Sequence, residues 1–144
     1  MKNLNSKISV LILSIIFTML SSCAMFSSSS NATEYKDGYY IATLHHTYDE
    51  VYNATIESIK VGQICDLNGK LYNISSTDKM NTMAVIVAKS QNSSSDYLDI
   101  IIKKVSKDTT KIYIKDGASG ASIRSSSLVT AIQQDIDRPQ LVKG

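Results

Sequence analysis

The chain has 144 residues, with 15 Lys+Arg against 13 Asp+Glu and two cysteines. Lys2 and Lys7 lie in a leader whose removal leaves the two signs equal, so no electrostatic footprint for nucleic acid remains. Behind the leader and its tether about a hundred residues are left, enough for one small core and too few for two.

Residues 1–22 read as an export leader. Lys2 and Lys7 form a short positive n-region that is held on the cytoplasmic side during translocation. Residues 8–20 (ISVLILSIIFTML) are apolar apart from Ser9, Ser14 and Thr18. That length matches a signal-peptide h-region and falls short of the roughly 20 apolar residues a spanning helix needs. Leu20-Ser21-Ser22-Cys23 then sets one branched apolar residue and two small ones before a thiol, and this resembles the lipobox of bacterial lipoproteins. In that class the thiol, here Cys23, is alkylated by diacylglycerol, the chain is cut before it, and the new amino group is usually acylated. Small side chains at Ser21 and Ser22 let the extended backbone fit the peptidase. The competing readings are an ordinary secretory peptide with a cysteine near the cut, or a short uncleaved anchor. One acyl chain holds a protein only marginally, at about 0.8 kcal/mol per buried methylene, and two give stable attachment. Ala24, rather than Asp, follows the anchor; by analogy with Gram-negative sorting this corresponds to the outer membrane, facing the periplasm or the cell surface. With Cys23 lipidated, Cys65 is the single thiol left, so no internal disulfide forms. Cys65 is either buried as a small hydrophobe or free to pair with another chain.

Residues 24–36 (AMFSSSSNATEYK) are Ser-rich with little to bury, which predicts a flexible tether over 23–36. The folded domain is expected over 37–137, followed by a polar tail over 138–144 that holds the only proline, Pro139. Residues 38–46 (GYYIATLHH) are rich in aromatic and β-branched side chains and predict the first strand. Thr47-Tyr48-Asp49-Glu50 is a capping box: the Thr47 hydroxyl can accept from the Glu50 amide while the Glu50 carboxylate reaches back to the Thr47 amide. Behind it Glu50, Asn53, Glu57 and Lys60 share one helix face, and Tyr48, Val51, Tyr52, Thr55 and Ile59 the other. Asp49 and Glu50 sit at the positive end of the macrodipole, Lys60 at the negative end, and Gly62 is a natural stop.

Asn68-Gly69 signals a hairpin-type turn, a short strand follows near residues 70–75, and Thr77-Asp78-Lys79 leads into another turn. Residues 82–89 (TMAVIVAK) are apolar on both faces, which predicts a central strand. Residues 97–105 (YLDIIIKKV) alternate to bury Leu98, Ile100 and Ile102. Residues 110–115 (TKIYIK) bury Ile112 and Ile114 and turn Lys111, Tyr113 and Lys115 outward. These strands form an antiparallel meander. Residues 116–120 (DGASG) break the pattern, and Leu128, Val129, Ile132 and Ile136 stand at helical spacing in a closing helix over 122–136. The expected fold class is α+β: an antiparallel sheet of about four to five strands in the order β-α-β-β-β-β-α, with two helices packed on one face. The other face, with its Lys and Tyr side chains, would be solvated or would meet a partner.

This order, with its residues, resembles a family of small uncharacterised bacterial lipoproteins catalogued as a domain of unknown function. The matching features are the lipobox, Gly38 at the first strand, and the run Thr47-Tyr48-Asp49-Glu50-Val51-Tyr52-Asn53-Ala54-Thr55 at the helix start. Further along are the strands around Val85 and Ile101, and Thr110-Lys111-Ile112-Tyr113-Ile114 leading to Gly117 and Gly120. Members often carry an acidic residue after the second glycine, where this chain has Ala121. The resemblance implies a fold and an address, and no activity.

Candidates for catalysis are few. His45 and His46 are adjacent on a strand, so their side chains point to opposite faces and cannot both bind one metal. A site on either would need Cys65, Asp66 or a carboxylate from elsewhere, and the spacing is no ligand pattern. There is no Gly-x-Ser-x-Gly elbow, and Gly117-Ala118-Ser119-Gly120 lacks the lysine of a P-loop. No catalytic, cofactor or metal residue is therefore assigned. Lys103, Lys104, Lys107, Lys111 and Lys115 either face anionic headgroups or a polyanion, or form a solvated sheet face interleaved with Asp99 and Asp108. Asn31-Ala32-Thr33, Asn53-Ala54-Thr55, Asn73-Ile74-Ser75 and Asn92-Ser93-Ser94 fit glycosylation sequons. Behind a bacterial leader they read as chance, and in a eukaryotic chain as a secreted glycoprotein. The expected function is a non-catalytic, lipid-anchored envelope lipoprotein, a structural or protein-binding accessory module of the outer membrane and periplasm. It would be held to the membrane through lipid on Cys23, with an envelope protein as partner and no nucleic acid. The alternative is a metal-dependent or hydrolytic periplasmic enzyme using His45 or His46.

Overall fold

Period-two alternation of Ile, Val and Ala with polar residues builds most of the protein, and the computed structural model describes residues 33–117 and 123–138. Six strands form one sheet: β1 (Thr33–Lys36), β2 (Tyr39–Leu44), β3 (Asn73–Lys79), β4 (Met83–Lys89), β5 (Tyr97–Ser106) and β6 (Thr109–Asp116). Their spatial order is β1-β2-β6-β5-β4-β3, and every pair is antiparallel. Helix α1 (Tyr48–Lys60) joins β2 to β3, and α2 (Ile123–Asp137) follows β6. The fold is α+β, as expected.

The helices cover one sheet face. In register, Ala42, Ile112, Ile102 and Ala84 make one buried row, and Ile114, Ile100 and Ile86 another. Val51, Ala54 and Ile59 of α1 and Leu128, Val129 and Ile132 of α2 close the core over them. Full burial of each such aliphatic side chain contributes about 1.5–3 kcal/mol, so these rows carry much of the stability.

Helix α1 is delimited locally at both ends. The Glu50 amide donates to Thr47 Oγ1 at 3.3 Å and the Thr47 amide to Glu50 Oε2 at 2.9 Å, completing the capping box. At the other end the Gln63 amide bonds the Ser58 carbonyl and the Gly62 amide the Ile59 carbonyl, with Gly62 at φ +76°. This is the Schellman arrangement, in which glycine relieves the left-handed position.

Several boundaries differ from the sequence reading. Thr33–Lys36, placed in the tether, is an edge strand paired with β2. Its residues are all exposed, so no apolar alternation marks them; backbone pairing across a two-residue turn does the work. Asp37 and Gly38, both at positive φ, form that turn, and Asp-Gly is a favoured hairpin pair. The added strand makes the count six rather than four to five. β3 runs over Asn73–Lys79 rather than near 70–75, because it is an exposed edge where polar side chains cost nothing; the expected turn follows directly, with the Met80 amide on the Met83 carbonyl at 2.8 Å. The apolar β4 is interior, yet second from an edge; β6 and β5 occupy the centre.

Candidate functional site

The inward alternation of β5 and β6 runs past its isoleucines onto carboxylates. Asp116 follows Ile112 and Ile114 on the core face of β6, in register with Leu98, and Asp96 stands at the equivalent position just before β5. Both side chains are almost wholly withdrawn from solvent. A buried carboxylate needs a cation or several donors. Arg124, in the first turn of α2, supplies them: Nε donates to Asp116 Oδ2 at 2.9 Å, Nη2 to Asp116 Oδ1, and Nη1 to Asp96 Oδ1 at 3.1 Å. Arg124 Nη1 also donates to the Tyr72 hydroxyl at 2.7 Å, and that hydroxyl donates to Asp96 Oδ1 at 2.5 Å.

A second carboxylate cage adjoins the first. Asp66 Oδ1 accepts from the amides of Asn68 (2.9 Å) and Lys70 (2.8 Å), and Asp66 Oδ2 from the Ser90 hydroxyl at 2.6 Å. Asp96 Oδ2 takes the Leu67 amide at 2.7 Å. The segment between α1 and β3, residues 61–72, is thus stapled to the sheet end by three bonds, from the Leu67 amide and the Tyr72 hydroxyl to Asp96 and from the Ser90 hydroxyl to Asp66, while the Asn68 and Lys70 amides tie Asp66 within the segment itself. The Ser90 hydroxyl and the Lys70 and Asn68 amides hold the Asp66 carboxyl below its ordinary range. Burial pushes Asp96 up, but the Leu67 amide, the Tyr72 hydroxyl and Arg124 outweigh it and leave Asp96 below its usual value as well. Burial, then the bond to Asp96, drives the Tyr72 phenol far up, so it stays a neutral donor. The cluster is a clasp between loop, sheet and α2, in which one guanidinium and a set of neutral N–H and O–H donors serve three carboxylates.

The residues singled out in the sequence fall elsewhere, apart from Asp66. His45 is exposed; His46 is half-buried at the opposite sheet end, its Nε2 3.5 Å from Asp137 Oδ1. Cys65 is half-buried rather than buried, its thiol 3.6 Å from the Gly62 carbonyl. Among the described residues no group of three or more His, Cys, Asp or Glu side chains is placed to hold a metal. Of the lysines, Lys103, Lys111 and Lys115 share the uncovered sheet face, Lys104 takes a helix-side register position and lines a cleft with Tyr48 and Asp49 at the start of α1, and Lys107 lies in the β5–β6 turn. On the uncovered face Lys103 Nζ lies 5.1 Å from the Tyr113 ring centre and Lys115 Nζ 5.9 Å from that of Tyr39, whose hydroxyl donates to Asp99 at 2.8 Å. Cys23 and Ala118 to Gly120 lie outside the described residues.

Sequence reasoning missed Asp96, Asp116, Tyr72 and Arg124. The available signal was alternation itself: extended by one step on each strand, it puts two acids on the core face, and Arg124 is one of only two arginines in the chain. Among the described residues no helix is long and apolar enough to cross a membrane. No curated protein matches the chain in sequence. A family model does match, over residues 7–135, well beyond half of the length. The chain belongs to the family described as Protein of unknown function (DUF3568).

Proposed function

We propose that the protein is a lipid-anchored envelope lipoprotein, a non-catalytic accessory module held to the outer membrane through acyl groups on Cys23. The observation that carries this is the reach of the family match. It begins at Lys7 and so takes in the apolar run and Cys23 together with the folded domain. An apolar run of h-region length with a lipobox cysteine behind it is the arrangement a lipoprotein leader needs. The clasp supports a structural role for its acids, since each carboxylate of Asp66 and Asp96 is engaged by several donors and Asp116 is bidentate with Arg124.

The test is metabolic labelling with a fatty-acid analogue in wild type and in Cys23→Ser, followed by membrane fractionation. Wild type takes up label and sediments with outer membrane, whereas Cys23→Ser is unlabelled. Label in neither protein, or an N-terminus other than Cys23 in the mature chain, overturns the proposal.

A further inference from the structure

Residues 61–72 show an arrangement the clasp alone does not require. Leu67 is 75% exposed, Leu71 52% and Val61 47%, and Ile123 at the start of α2 is 85% exposed. Scattered exposed aliphatics are ordinary, but four at one end of a small domain make a candidate contact surface. They share that end because β6 finishes there, α1 ends there and α2 begins there. Leu71 closes over Gly62, next to Val61, and the backbones of Leu67 and Lys70 are pinned by Asp96 and Asp66. The turn at Asn68 and Gly69 is held further by the Gly69 amide on the Asp66 carbonyl at 3.0 Å. The leucines are therefore presented on an ordered hairpin tip, with little entropy left to lose on contact.

We propose that this end of the domain docks on the bilayer interface, with Leu67 and Leu71 entering between anionic headgroups. The inference rests on the lipid anchor proposed above. Charge favours a bilayer over a neutral or basic surface: Lys60 and Lys70 flank the tip, and the one acid within residues 60–72, Asp66, is buried and fully bonded. Three carboxylates lie nearby: Glu57 one helical turn back on α1, Asp135 of α2, which is occupied by Gln63 Nε2 and Ser58 Oγ at 2.7 Å each, and exposed Asp37, which stands beside Lys36 in the β1–β2 turn. Chain length agrees. Cys23 and Thr33 are ten positions apart, which at ~3.3–3.6 Å per extended residue gives the linking segment a reach of at most about 35 Å. Apolar side chains with flanking lysines bury about 5–10 Å into the headgroup boundary.

The chain has no tryptophan, so one reporter can be placed at each end of the domain. Acylated Leu67→Trp and Val105→Trp proteins are purified from membranes. Each is reconstituted into phosphatidylethanolamine–phosphatidylglycerol vesicles with brominated acyl chains. Leu67→Trp emission is expected to shift to the blue and lose most of its intensity to bromine. Val105→Trp, in the exposed end of β5 at the other pole of the sheet, keeps its solvent-like emission. Adding Lys70→Gln to Leu67→Trp lowers the docked-to-undocked ratio about fivefold. Unquenched Leu67→Trp emission on an acylated chain overturns docking and leaves the anchor standing. A blue-shifted but unquenched signal does the same, and identifies a protein cover instead. Equal quenching at both positions also overturns it. Absence of acyl groups, read beforehand from the mass of the N-terminal peptide, overturns anchor and docking together.

Discussion

Ser125 is fully buried on α2, and among the described residues its Oγ has no hydrogen-bond partner. An unmade bond of this kind costs about 1–3 kcal/mol, and alanine is the better helix former. Ser125→Ala is therefore expected to stabilise the protein by about 1 kcal/mol, read as a higher urea midpoint at unchanged slope. Gly117 is the opposite case. It follows β6 at φ +62°, and a Cβ there would stand 2.9 Å from the Ser95 carbonyl oxygen. That atom is backbone and cannot swing away, so Gly117→Ala combines left-handed strain with a clash and should cost about 2 kcal/mol or more in the same titration.

Two elements depend on contacts of very different range. Helix α1 begins on a bond pair three residues wide, so Thr47→Ala should cost about 1 kcal/mol without disturbing the sheet. Backbone exchange would show the loss confined to the first turn of α1. Helix α2 enters through Arg124, whose partners Tyr72 and Asp96 lie 52 and 28 positions away, with Asp116 8 positions away. Arg124→Ala leaves Asp96 and Asp116 buried without their cation. The expected loss at neutral pH is about 3 kcal/mol, and it should shrink in acid, where Asp96 takes up a proton. A loss that stayed constant from neutral to acid pH would show that packing, and not charge, was removed.

The whole molecule carries that acid sensitivity in a defined direction. Asp66 and Asp96 both have folded-state values below their unfolded ones. Their contribution is complete above the unfolded carboxylate range, near pH ~4, and is lost as pH falls through the lower folded values. Glu50, held down by the Thr47 hydroxyl and amide, adds to the same window. On acidification the amides of Leu67, Asn68 and Lys70 should lose exchange protection before the central strands β5 and β6 do. Their acceptors are the titrating groups, whereas the strand bonds sit over a buried isoleucine layer.

By itself the sequence determined what neighbours within a few positions decide. The capping box at Thr47, the stop at Gly62, and the inward isoleucines at Ile100, Ile102, Ile112 and Ile114 are local chemistry repeated at a fixed period, and they stand where the pattern put them. Only the tertiary structure decided the pairing of β1 with β2, because an all-exposed strand leaves no hydrophobic period and Asp37-Gly38 was the one mark of its turn. It alone decided the clasp, since Asp66 and Tyr72 of one segment, Asp96, Asp116 and Arg124 come from four separate places in the chain. Alternation can put an acid on the core face, but which cation reaches it depends on where the last helix lands, and that is set by burying Leu128, Val129 and Ile132 against the sheet.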